Sequence, residues 1–132
     1  ATGFEEGHSE MVVLRDIPFA STCEHHFLPF FGTADIGYVP NGRVVGASKL
    51  ARALDVLARR PQIQERLTKQ LVDCIMDTLE PEGVGVVISA EHLCISLRGT
   101  RKVGSRLVTR SSRGSIKTRE ATRREFESML QS

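Results

Sequence analysis

The chain has 132 residues and a mass of 14.6 kDa, the size of one domain. Forty per cent hydrophobic and 26% charged residues exclude a disordered or fibrous chain, and no stretch approaches the roughly 18–20 apolar residues of a membrane span. The net charge of +2 is uneven: residues 1–97 carry 8 basic and 13 acidic side chains, residues 98–132 carry 10 and 3, so the C-terminal part favours a polyanion, a phosphorylated ligand or an acidic neighbouring subunit.

Residues 1–10 hold three glutamates and a histidine and lack an apolar core, which argues against a secretory signal. Three cysteines cannot all pair within one chain, so metal binding or burial are their expected roles, in a reducing, cytoplasmic compartment. Residues 11–19 are rich in Val, Leu and Ile and read as a strand, and residues 27–38 continue in the same style. Val39-Pro40-Asn41-Gly42 is a turn signal, with a short strand expected over 43–46 to close a hairpin on 27–38.

Helical spacing starts at Ser48, an expected N-cap, with Leu50, Leu54 and Leu57 on one side. Pro61 suits the first turn of a second helix, whose stripe is Ile63, Leu67, Leu71, Cys74, Ile75 and Leu79. Cys74, on that stripe and without a histidine near it, is assigned to the core. Pro81 and Gly83 end the helix, and residues 84–90 form a buried, β-branched strand. A further strand is expected over 105–116, and the pair Thr122/Glu125 reads as a capping box opening a last helix through Leu130. Strands joined by short turns, with helices inserted between two pairs, predict an α+β domain with an antiparallel sheet. Residues 1–132 read as one domain, without repeats or linkers.

The sharpest chemical feature is Cys23-Glu24-His25-His26. A thiolate and an imidazole three apart can close on one tetrahedral cation, and Cys94 of His92-Leu93-Cys94 offers a third donor. Two thiolates and one imidazole leave a fourth position open, the mark of a catalytic zinc site rather than a structural one. A structural zinc needs a fourth protein ligand, and the sequence supplies no good candidate. His25 and His92 remain for acid–base work, or for orienting a ligand. Lys49 and Arg52, three apart in a first helical turn, read as a phosphate pocket or as an ordinary solvated face. Gln64-Glu65 offers an amide and a carboxylate able to accept two parallel N–H donors, and by itself says nothing. An RNA-binding use of the basic segment is opposed by 5% aromatic content and by the absence of aromatics between its arginines.

Four stretches in this order resemble GTP cyclohydrolase I: Cys23-Glu24-His25-His26-Phe27-Leu28-Pro29-Phe30-Phe31-Gly32, Ser48-Lys49-Leu50-Ala51-Arg52, Gln62-Ile63-Gln64-Glu65-Arg66-Leu67-Thr68, and His92-Leu93-Cys94 with Arg98-Gly99. The resemblance implies the tunnelling fold (T-fold), an antiparallel sheet with helices on one face, assembled into an oligomeric barrel, a homodecamer with active sites between subunits. It implies conversion of GTP and water to 7,8-dihydroneopterin triphosphate and formate in folate and pterin synthesis. By matching motifs, Cys23, His26 and Cys94 hold Zn2+, and His92 protonates N7 of the purine. His25 helps open the ribose and Ser48 assists the later rearrangement. Gln64 and Glu65 read the guanine edge, and Lys49, Arg52 and Arg98 bind the triphosphate. The helical segment that usually precedes the family's first strand has no counterpart in these 132 residues. The alternative is a relative with the same fold and zinc that opens the GTP imidazole ring without closing the pterin. No nucleic-acid or membrane partner is expected.

Overall fold

The computed structural model describes residues 10–42, 45–96 and 104–131. Alternation builds the sheet, because side chains two apart in a strand share a face. In β2 (Pro29–Val39) Phe30, Ala34, Ile36 and Tyr38 are buried together, and in β3 (Gly83–His92) so are Val84, Val86, Ile88 and Ala90. With β1 (Val12–Thr22) and β4 (Leu107–Gly114) they form a sheet ordered β1-β2-β3-β4, every neighbouring pair antiparallel. Between β2 and β3 the chain forms α1 (Ala47–Ala58) and α2 (Gln64–Leu79). Their Leu50, Leu54, Leu67, Leu71, Val72 and Ile75 close over that face as the main core. The expected α+β architecture with a helix layer on the antiparallel sheet is therefore present.

The single-turn helix α3 (Leu93–Ser96) follows β3, and α4 (Ser115–Thr118) follows β4. The last helix, α5 (Glu120–Leu130), lays Phe126 against Gly37 and Gly85, whose strand positions point away from the main core. Met11, Val39 and Ile116 complete this second, smaller cluster.

Several boundaries differ from expectation. Val45 and Gly46 are not in a strand, and the partners of β2 are β1 and β3. The Tyr38 hydroxyl donates to the Val45 carbonyl at 3.1 Å and accepts its N–H at 3.0 Å, so a side chain satisfies the backbone that a hairpin would have paired. Arg43 and Val44, in the same expected strand, lie outside the described residues. Gly46, not Ser48, caps α1, and Ser48 is already helical. Pro61 precedes α2 by three residues, because Gln62 is held in a parallel bridge with Cys23 and Ile63 becomes the extended cap. Thr122 lies inside α5, whose cap is the extended Arg119 and whose first-turn acid is Glu120. The strand expected over 105–116 ends at Gly114, where the chain turns and delivers Ile116 to the smaller core. Cys74 is only partly buried and lines the groove between α1 and α2.

Gly32 sits where β2 and β3 leave no room for a side chain. A Cβ there would lie 2.0 Å from the Ser89 carbonyl oxygen, a rigid backbone atom of the paired strand. Gly32→Ala is expected to lose about 1–3 kcal/mol, the usual range for overpacking, read as a lower denaturation midpoint. An unchanged midpoint would show that the two strands can part without loss.

Candidate metal centre and active site

The connection from β1 to β2 is a closed turn. Cys23 donates its N–H to the Leu28 carbonyl, and its own carbonyl accepts the N–H of Phe27, both at 2.8 Å. Phe27 adopts a left-handed conformation with φ of 54° and is 74% exposed, a strained arrangement of the kind that persists where surrounding contacts enforce it. The turn folds the His26 side chain back, so that Nδ1 lies 3.6 Å from Cys23 Sγ. Cys94 arrives from far along the chain by sheet register. Phe30 pairs with His92, which places the end of β3 and the start of α3 beside the turn. The donor atoms of Cys23, His26 and Cys94 all lie within 4.8 Å of one another.

This donor set fits zinc. Ligand bonds of about 2.0–2.3 Å at tetrahedral angles leave neighbouring donors roughly 3.5–3.8 Å apart, and the Cys23–His26 separation already falls there. Cys23 is 9% exposed, whereas His26 is exposed and Cys94 intermediate, so the trio faces solvent on one side.

His92 is 8% exposed and packed between two partners. Its ring stacks on Phe30 at a centroid distance of 4.4 Å and an interplanar angle of 1°. Its Nε2 lies 2.7 Å from Gln64 Oε1. The amide orientation follows from its other contacts. Gln64 Nε2 faces three acceptors, the carbonyls of Ile88 (3.2 Å) and Leu107 (2.9 Å) and Thr109 Oγ1 (3.1 Å). The NH2 group must point at them, Oε1 must accept, and His92 Nε2 must carry a proton. Burial holds the His92 pKa below its ordinary value, with the Glu65 carboxylate pulling weakly the other way. The ring is thus a neutral imidazole whose Nδ1 is the nitrogen left to gain a proton.

Gln64 is 1% exposed and its amide is fully engaged inside the chain. Its amide is turned toward His92, β3 and β4 rather than toward solvent, so the expected reading of a guanine edge gives way to that of a group that holds the buried His92. Glu65, next to it, is exposed in the first turn of α2. His25 is exposed in the turn, its ring centroid 6.5 Å from that of His26.

Ser48, Lys49 and Arg52 are exposed on the first turns of α1, and Lys49 and Arg52 border the largely apolar groove against α2. The segment that leads into α1 lies toward the other end of β2 from the donor turn. The start of α1 is tied to Tyr38 through Val45, and Tyr38 lies eight residues beyond Phe30 along β2, roughly 26 Å at about 3.3 Å per residue. Arg98 lies outside the described residues.

Sequence reasoning missed the groups around the donors. Phe30 stands in the recognised stretch, and the parity of β2 puts it on the face of His92, but only the β2–β3 register joins them. Glu24 accepts a hydrogen bond from Arg66 of α2, which holds its carboxyl below the usual range. Gln62 is fully buried beneath the turn, and no spacing signalled it.

The family model described as GTP cyclohydrolase I matches residues 1–131. The GTP cyclohydrolase 1 of Dehalococcoides mccartyi (strain ATCC BAA-2100 / JCM 16839 / KCTC 5957 / BAV1) is 56% identical over 131 residues, covering 98% of this chain and 69% of that protein. That of Thermobifida fusca (strain YX) is 55% identical, covering 98% and 63%. Among solved structures, an apo archaeosine synthase QueF-Like aligns with TM-score 0.62 at 18% identity, over 79% of this chain and 93% of that one. E. coli dihydroneopterin aldolase in complex with neopterin aligns with TM-score 0.59 at 11% identity, over 80% and 99%. These two likenesses are of fold, the tunnelling arrangement of an antiparallel sheet under helices. Among the described residues, no helix is long and apolar enough to cross a membrane.

Proposed function

The chain belongs to the GTP cyclohydrolase I family, and from that premise we propose that it is a zinc-dependent hydrolase converting GTP and water to 7,8-dihydroneopterin triphosphate and formate. The reading places it at the first step of folate and pterin synthesis, in the cytoplasm, with residues 1–132 acting as one catalytic domain. The observation that carries it is the meeting of Cys23, His26 and Cys94 beside a buried, neutral His92.

Cys23, His26 and Cys94 would hold the zinc, which when bound supplies a Lewis-acidic centre and draws the pKa of a water toward about 7. The protein's own groups do the rest. His92 Nδ1 takes a proton from the water that adds to C8 and passes it to N7 as the imidazole ring opens. Gln64 fixes the tautomer that leaves Nδ1 available, and Phe30 covers the ring face against solvent. The exposed Glu65 carboxylate accepts the two N–H donors of a guanine edge. His25 assists ribose opening, and Ser48 the later carbonyl rearrangement.

Lys49, Arg52 and Arg98 bind the triphosphate. The start of α1, which carries Lys49 and Arg52, is tied to the end of β2 away from the trio, and this supports their serving the trio of a second copy. The site is then completed between subunits of a homo-oligomer, a decamer by family resemblance. Pairing of the outer strands β1 and β4 across copies would close the sheet into a barrel and remove its open edges.

The test is turnover of GTP by the purified chain, followed as fluorescent pterin after oxidation and as released formate. Both products are expected, both are lost after chelation, and Zn2+ restores both. Formate without pterin would instead establish the ring-opening alternative. Turnover indifferent to chelation would reject the zinc assignment.

A further inference from the structure

We propose that Glu24, Gln62 and Arg66 form a clamp that holds the donor turn in its metal-binding shape before the metal arrives, which makes Gln62 and Arg66 positioning residues for that centre. The inference rests on the zinc reading above.

The backbone contacts bracket Cys23. Gln62 donates its N–H to the Thr22 carbonyl, and the Gln62 carbonyl accepts the N–H of Glu24, both at 2.8 Å. The residues on either side of the first ligand are therefore fixed to the segment between α1 and α2. Gln62 cannot drift, since its side chain is fully buried and donates Nε2 to the Leu57 carbonyl at 2.9 Å and to Gln70 Oε1 at 3.0 Å. Arg66 spans the remaining gap. Its Nε donates to Gln62 Oε1 at 3.1 Å, and its Nη2 donates to the Pro61 carbonyl at 3.1 Å and to the Glu24 carboxylate. One guanidinium thus ties α2, the buried amide and the residue after Cys23 together.

Stability alone is a poor reason for this arrangement. The Arg66 and Glu24 side chains are 39% and 42% exposed, and ion pairs that open to water contribute little to folding. The turn, however, carries the strained Phe27 and an exposed His26. A turn left to itself would sample other shapes, and ordering it would be charged against metal affinity. Groups one shell out from the ligands commonly control affinity in this way.

The experiment titrates Zn2+ and Co2+ into the metal-free 132-residue chain against a chromophoric chelator, with the Co2+ thiolate band as signature. Arg66→Met is expected to weaken binding about 10–100-fold, with a modest fall in the metal-free melting temperature from the orphaned Gln62 Oε1, whereas Glu24→Gln leaves that temperature unchanged. Arg66→Lys recovers most of the loss, because an ammonium can still donate to the two Nη2 acceptors, the Pro61 carbonyl and the Glu24 carboxylate. Glu24→Gln leaves Gln62 satisfied and reads the same loss if Arg66→Met does not fold. Wild-type affinity in Arg66→Met or in Glu24→Gln overturns the clamp, as does an affinity loss in Glu24→Gln matched by a fall in the metal-free melting temperature. A wild-type chain that binds neither ion overturns the zinc reading itself, and the clamp with it.

Discussion

Cys94→Ala is expected to lose zinc and, with it, all measurable GTP turnover, while the chain stays folded. Cys23 and His26 lie three residues apart in one turn, and among the described residues Cys94 alone joins them from another segment. Removing its thiolate leaves two donors, one of them an exposed imidazole, which is too few to hold the ion in a three-ligand catalytic site. The uncatalysed alternative is addition of ordinary water, whose pKa of about 15.7 stands far above the value near 7 that a zinc centre provides. The deficit is many orders of magnitude in available hydroxide. The fold should survive, because Cys94 is only partly buried on the single-turn α3 and belongs to neither core cluster. Metal content per chain, turnover and melting temperature measured together check this. Cys74→Ala is the control. That thiol lies in the groove between α1 and α2, so its loss should leave metal content unchanged. One zinc per chain retained in Cys94→Ala would remove the third ligand from the assignment.

Much of the architecture was legible because it is written in periodicity. The alternation in β2 and β3 and the stripe from Leu67 to Leu79 each define a face without reference to the rest of the chain. Helix starts were not legible for a specific reason: Gly46, Ile63 and Arg119 cap α1, α2 and α5 without any side-chain cap bond, so the Ser48 and Thr122 signals pointed at residues already inside helices. The strand expected at 43–46 failed through Tyr38, whose hydroxyl takes over a backbone pairing that no local pattern announces. The donor residues could be named from chemistry and motif, but their meeting depends on the register Phe30↔His92, a tertiary fact. The duty of Gln64 was hidden for the same reason. Its partners lie on β3 and β4, and a glutamine beside a glutamate in sequence reads as a surface pair.

Gln64→Leu should therefore lower kcat by about 10²–10⁴, the usual worth of a positioned acid–base group, and leave KM nearly unchanged. The leucine fills similar space but offers no acceptor to His92 Nε2 and no donors to Thr109 and the two carbonyls. The imidazole can then adopt the other tautomer, with Nδ1 already protonated and unable to take a proton from water. Stability also falls, by about 1–3 kcal/mol for the orphaned buried groups, so the kinetics must be read below the variant's own melting transition. The split between kcat and KM separates this role from substrate reading. A side chain that binds guanine would raise KM when removed, and that result would assign Gln64 to the guanine edge. Gln64→Glu gives the sign test. In the wild type, burial depresses the His92 pKa, so the acid limb of the rate profile lies below the ordinary histidine value. A carboxylate at position 64 would stabilise the imidazolium, raise that pKa and move the limb to higher pH. A limb that stays in place while Gln64→Leu retains full kcat would mean that His92 does not act through this hydrogen bond.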